Sequence, residues 1–280
     1  IDIIYNIDTN SYTFLEINTL DEIEINAENY LTTNLFQFNI PIEQMKKVPV
    51  LFGEKDVFRV LQLLPGIQSG AEGQVGLYVR GGSPDQNLIL LDDGVIYNAS
   101  HLFGFFSLFN GDAIKYIDLI KGGFPARYGG RLSSVIDIRM KEGNREKYRG
   151  EAGIGLISSR LTFEGPIKKG KSSFLISGRR TFLDLLLKPF IKPTTNNGQT
   201  GAYFFWDFTA KANFDLNSKN KIYFSSYLGK DKINFNDLFR TNLLKNEFEW
   251  SNMLFATRWN HQFSNKLFSN LSLIYSKYIL

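Results

Sequence analysis

The chain has 280 residues, 21% of them charged, with a formal net charge of +4 and no cysteine. So mild and evenly spread a positive charge leaves no footprint for nucleic acid, and the lack of thiols removes both a disulfide framework and a thiolate metal centre. Aromatic residues make up 15%, with 25 Phe and 13 Tyr, yet no apolar run approaches the ~18 residues of a spanning helix, so any membrane crossing must use strands.

Residues 1–20 alternate apolar and polar side chains as short strands do, and residues 21–27 (DEIEINA) form a small acidic, β-branched strip. Residues 28–46 are polar and without period, which predicts a linker. From Glu54 the spacing turns helical: Val57, Val60, Leu61 and Leu64 share one face, and Pro65-Gly66 ends it. Strand-like runs follow at 75–79 and 87–91, closed by Gly81-Gly82-Ser83-Pro84 and by Asp92-Asp93-Gly94, and again at 116–120 and 133–140. Together these predict a mixed α+β domain of ordinary size.

After Tyr148 the helical signal disappears. Between 202 and 216 the even positions from 204 read Phe204, Trp206, Phe208, Ala210, Ala212, Phe214 and Leu216, and the odd ones read Phe205, Asp207, Thr209, Lys211, Asn213 and Asp215. This alternation outruns both the ~5–6 residues of an average soluble strand and the ~9–11 that cross a bilayer at a tilt. Weaker versions set Met253, Phe255, Trp259 and Phe263 against Arg258, Asn260 and Gln262, and Phe174 and Ile176 against Ser173 and Ser177. Ala152, Ile154 and Leu156 likewise oppose Glu151, Gly153 and Gly155. A soluble sandwich produces the same alternation strand by strand. Connection lengths separate the two: short turns at 168–171, 217–220 and 264–266 alternate with long connections at 189–201 and 231–246, the pattern of a membrane barrel. The first hairpin, near 157–160, shows no turn signal. The chain opens at Ile1 without the regions of a signal peptide and stops at Leu280 inside an alternating run, so a longer protein is expected.

The runs VFRVLQLLPGIQSG, YVRGGSPDQNLILLDDGVIYNASHLFGFFSLFN and IKYIDLIKGGFPARYGGRLSSVIDIRMKEG resemble the plug domain of TonB-dependent outer-membrane receptors, closest to the branch found in Bacteroidetes-type bacteria. The resemblance covers roughly residues 50–180. It implies an α+β plug domain at 47–146, followed by antiparallel transmembrane β-barrel strands at 147–280 that leave the barrel incomplete. Residues 1–20 resemble the end of a carboxypeptidase-like regulatory β-domain, and 21–46 a TonB-box-like segment with its linker. The strip Asp21, Glu22, Ile23, Glu24, Ile25, Asn26 and Ala27 resembles the box D-x-x-x-V-T-A, although Asn26 stands where Thr is usual and Glu24 interrupts the apolar pattern.

The implied function is uptake of a scarce nutrient (an iron chelate, vitamin, oligosaccharide or peptide) across a Gram-negative outer membrane, with the plug and N-terminal segment facing the periplasm. The implied partners are a TonB-type inner-membrane energy-coupling protein, outer-membrane lipid and an unknown extracellular ligand. A surface lipoprotein lid is compatible with this branch. An extended strip of this kind adds as a strand to a partner's sheet edge, taking affinity from main-chain hydrogen bonds. No enzymatic activity, cofactor or metal is expected. The rival from another class is a secreted or surface-exposed β-sandwich adhesion or binding protein, which would close soon after Leu280, whereas a plugged barrel has ~22 strands.

Gly81-Gly82, Gly122-Gly123 and Gly129-Gly130 open no helix in a βαβ unit, so tight turns explain them better than phosphate binding. Asp92 and Asp93 sit before Gly94, where Asp is a good turn residue. His101 and His261 lie far apart in sequence and outside any metal-ligand spacing. Arg80, Arg127 and Arg131, beside Gly81, Gly82, Gly129 and Gly130, are read as plug–barrel interface and gating residues, because guanidinium suits bidentate pairing with carboxylates in a polar lumen. His101, Phe103, Phe105 and Phe106 are read as a possible ligand-facing plug apex, and plug core is an equal alternative.

Overall fold

The computed structural model describes residues 3–6, 11–14, 37–41, 56–71, 73–187, 200–239 and 242–280. They fall into two units, 1–35 and 36–280. In the first, β1 (Ile3–Asn6) and β2 (Ser11–Phe14) form an antiparallel pair.

The second unit opens with β3 (Gln37–Pro41), inside the segment whose composition predicts a linker. At 37–41 this corrects that expectation. The strand is short, carries Pro41 and lies at a sheet edge, where proline is tolerated, so neither period nor propensity announces it. Next comes α1 (Val57–Gln62). Buried Asp56 caps it, Oδ1 accepting from Phe58 N at 2.8 Å and Arg59 N at 3.3 Å, and Val57, Phe58 and Leu61 turn inward.

Short pairs follow: β4 (Ile67–Gln68) with β5 (Tyr78–Val79), so the run at 75–79 is a strand only at its end. Then come β6 (Asn87–Leu91), β7 (Gly94–Val95), β8 (Ser100–His101), β9 (Phe106–Ser107), β10 (Ile114–Ile120) and β11 (Ser134–Met140). The sheet order is β3-β10-β11-β6-β7, with β6 parallel to β11 and the other pairs antiparallel. β6 reads NLILL because both its faces are covered. Ile89 and Leu91 join a core with Leu61, Ile117, Leu119, Ile136 and Ile138, while Leu88 and Leu90 pack with Ile120 and Val135 on the other side.

A seven-stranded antiparallel wall follows in chain order: β12 (Arg149–Ile154), β13 (Ser158–Lys168), β14 (Ser172–Thr181), β15 (Thr200–Asn217), β16 (Asn220–Phe239), β17 (Asn242–Ser264) and β18 (Leu267–Ile279). A short helix, α2 (Leu183–Leu187), follows β14. The first hairpin turns at 155–157, closed by Gly155 N to Ser158 O at 2.8 Å. The expected long connection at 231–246 is instead ladder. β16 and β17 stay paired out to Phe239 and Asn242. Its polar residues read as a loop, yet Lys232 pairs across the strands with Glu247, and Lys230–Glu249 at 2.8 Å continues the charged ladder just outside it.

The alternation in β15 separates two environments. Phe205, Asp207, Thr209, Lys211 and Asn213 are all buried, at 0–5% exposure, against the mixed domain, while Phe208 is 37% and Leu216 59% exposed. The same apolar outer face continues through Phe163, Ile176, Phe224, Phe255, Trp259 and Phe263.

Candidate functional site

The interface between the mixed domain and the wall is rich in charges, with acids on both sides, and Tyr227 and Leu254 of the wall join the domain's apolar core. The turn after β6 holds two successive non-glycine residues at positive φ, Asp92 (46°) and Asp93 (74°), a conformation for which Asp is among the more tolerant residues. Buried Asp92 accepts from Met140 N at 3.2 Å and from Ser225 Oγ of the wall at 2.6 Å, and it pairs with Lys211 Nζ at 2.9 Å. Asp93 pairs with Arg139 at 2.6 Å and with Arg258 of the wall at 3.3 Å. Burial pushes the Asp93 carboxyl up, but the two guanidinium groups outweigh it and hold it below its ordinary value. Gly94 completes the turn because Leu254 of the wall lies 2.1 Å from where its Cβ would stand.

A second contact joins Asp112 to Arg160 Nε at 2.7 Å. A third fixes the connection between domain and wall. Arg145 pairs with Asp215 at 2.5 Å, and Gly143, at φ +82°, passes so close to β14 that a Cβ would meet Phe174 O at 2.2 Å.

In the fourth contact both acids stand on the wall. His101 is fully buried, its Nδ1 2.7 Å from Asp231 Oδ2 and its Nε2 3.3 Å from Asp207 Oδ2. The ring stacks on Phe205 with centroids 3.9 Å apart. Arg179 donates to Asp207 at 2.8 Å and to Ser107 O of the domain at 2.8 Å. Burial alone lowers the His101 pKa, but hydrogen bonds and charge from Asp207 and Asp231 raise it above its ordinary value.

Beside this cluster lies a cavity of about 850 Å³, lined by Tyr78, Tyr97 and Phe103 of the domain and by Phe248, Trp250 and Tyr278 of the wall. Phe103 is 66% exposed and meets Trp250 at 5.4 Å between ring centroids. The four residues of the aromatic stretch therefore divide. Phe103 faces the cavity and Phe105 is exposed, whereas His101 and Phe106 are buried at the wall beside Phe205.

The glycine-flanked arginines differ in their surroundings. Arg127 donates to Tyr128 Oη at 2.8 Å and lines a polar cavity of about 300 Å³ together with Lys211 and Arg258. Arg131 is exposed and donates to Gly130 O at 2.9 Å, and Arg80 is exposed at φ 49°. Gly81 and Gly130 are at φ +80°, Gly129 has open space around its α-carbon, and Gly82 lies against Ser133. Arg258 and Arg160 bridge to the domain from the wall. Asp21 through Ala27 lie outside the described residues. Sequence reasoning missed Lys211 and Arg258, although their place on the polar face of alternating strands was a usable signal, and Asp231, which was read as the start of a long connection.

Residues 39–135 match the family model of the TonB-dependent receptor plug domain. Among solved structures, the chain is similar to the siderophore receptor PirA from Acinetobacter baumannii, at 20% identity and a TM-score of 0.60 over 90% of this chain and 41% of that one. It is also similar to a variant of the ferric enterobactin receptor PfeA from Pseudomonas aeruginosa, at 18% identity and 0.60 over 90% and 42%. A third is the outer membrane transporter YddB from Escherichia coli, at 13% and 0.56 over 81% and 37%. At these identities the likeness is one of fold. The chain spans about two-fifths of the length of the first two.

Proposed function

Because the chain carries a TonB-dependent receptor plug domain, followed by strands with the fold of a partial receptor barrel, we propose that the whole protein is an energy-coupled outer-membrane receptor that takes up an extracellular ligand. The observation that carries this reading is the two-faced wall. One face is buried and polar against the plug, and the other is exposed and apolar. Along β17 the outer positions from Phe263 to Met253 are apolar apart from His261 and Thr257, before giving way to Glu249 and Glu247, close to the ~9–11 residues that cross a bilayer at a tilt. A soluble β-sandwich would pack this wall against a second sheet. Here it packs against a mixed domain through ion pairs.

On this reading the short turns at 169–171, 218–219 and 265–266 and the plug connection face the periplasm. Residues 21–27 would be the strip offered to a TonB-type partner. The ligand would meet Phe103 and Trp250 from outside. The siderophore receptors among the similar folds favour an iron chelate, whose organic shell suits an aromatic cavity. The test is uptake of radiolabelled ferric siderophores by iron-starved cells carrying the full-length protein. Uptake that requires residues 21–27 and an energised inner membrane is expected, and uptake indifferent to both would refute the coupling.

A further inference from the structure

We propose that His101 is a positioning residue that ties the ligand cavity to the seating of the plug: gripped by Asp207 and Asp231 of the wall, it fixes the turn that presents Phe103. The inference rests on the transporter reading above.

The first ground is what surrounds the ring. Nδ1 is hydrogen-bonded to Asp231 Oδ2 at 2.7 Å, and Nε2 lies 3.3 Å from Asp207 Oδ2, within ion-pair distance but outside hydrogen-bond geometry. A neutral imidazole donating from Nδ1 turns its Nε2 lone pair toward the Asp207 carboxylate, whereas the imidazolium meets an acid on both sides. Charge agrees with this. Asp207, Asp231, Arg179 and His101 form a buried group that is electrically neutral when His101 is protonated and carries one net negative charge when it is not. Tyr203 and Tyr227 also face the group, and both are neutral at physiological pH in this buried, acidic setting.

The second ground is strain. Leu102, Phe103 and Gly104 stand at φ 48°, 52° and 96°, three successive left-handed residues, two of which carry side chains that disfavour that region. Such a turn persists only when its surroundings enforce it. Leu102 N donates to Tyr203 Oη at 2.7 Å and to Asp231 Oδ1 at 3.2 Å, and Tyr203 Oη in turn donates to Asp231. One carboxylate therefore grips both the imidazolium and the strained backbone beside it. Phe103, held by that backbone, reaches Trp250 in the cavity. A ligand that displaces Phe103 must work against the His101 anchor. Ser100 and Phe103, on either side of His101, line the cavity, whereas no residue of the Asp112–Arg160 and Asp92–Lys211 bridges lines it or adjoins one that does.

The experiment uses the full-length receptor in proteoliposomes, with a nitroxide on Phe103→Cys and encapsulated calcein to report leak. His101→Gln is expected to raise the leak and to increase the mobile fraction of the label about tenfold, the scale on which loss of a buried partner shifts a two-state balance. Arg160→Ala, which breaks a bridge remote from the cavity, should raise leak while the label stays immobile. A leak from His101→Gln with an immobile label would overturn the inference and leave the transporter reading standing. No leak from either variant would sink both. Should His101→Gln fail to insert, His101→Gln/Asp231→Asn keeps the buried group neutral and must still mobilise the label; an immobile label there overturns the inference.

Discussion

The plug's own core and its boundary with the wall are built on opposite principles. Inside, Leu61, Ile117, Leu119, Ile136 and Ile138 close a dry cluster, to which the wall adds Tyr227 and Leu254. At the boundary, Asp92, Asp93, Asp112 and His101 meet Lys211, Arg258, Arg160, Asp207 and Asp231. An apolar contact that opens exposes surface that water disfavours at every step. An ion pair that opens can be exchanged for hydration, so the desolvation cost of forming it is recovered when it breaks. On the proposed reading, a stopper that stays folded yet comes loose from its barrel would need that division.

The largest effect should come from leaving one charge behind. Asp92→Ala strands Lys211 in a buried site and is expected to weaken plug seating by about 3–5 kcal/mol, read as calcein leak and lowered thermal stability. Asp92→Asn combined with Lys211→Met should recover most of that loss, because the pair is removed together. A double variant as weak as the single one would mean that packing, not charge, carries the contact. On the outer face, Phe208→Arg should cost about 2–4 kcal/mol of barrel stability in lipid if the site lies near mid-bilayer, measured by reversible folding into liposomes.

The pH dependence follows from His101. Its folded pKa lies above the ordinary value of 6.5, so its contribution to seating is complete below that value and fades as pH rises through the raised one. Leak should therefore increase toward alkaline pH, and His101→Gln should flatten the profile. The smallest effect belongs to the exposed ladder beyond the apolar belt: Lys232→Ala, which removes the contact with Glu247, should change stability by less than ~1 kcal/mol.

Much of the architecture was legible because local period and global environment agree. The alternation from Phe204 to Asp215 reports two solvents on two faces, and NLILL reports burial on both. What stayed hidden depended on distant partners. His101 and Asp231 are separated by 130 residues, and Asp92 and Ser225 by 133, so nothing near Asp92-Asp93-Gly94 reveals more than a turn. The aromatic stretch could not be resolved for the same reason: positive φ at Leu102 and Phe103 sends neighbouring rings to different surroundings. The segment 231–246 misled because polar residues on a ladder outside the apolar belt have the composition of a loop.

The most direct test of the two-faced wall is a nitroxide scan of positions 203–216 in the full-length protein in bilayers, recording oxygen accessibility. It should oscillate with period 2, with maxima at 204, 206, 208, 210, 212 and 214 and minima at the odd positions covered by the plug. Even positions that are instead reached by a water-soluble relaxant, with no excess of oxygen, would contradict a wall set in hydrocarbon.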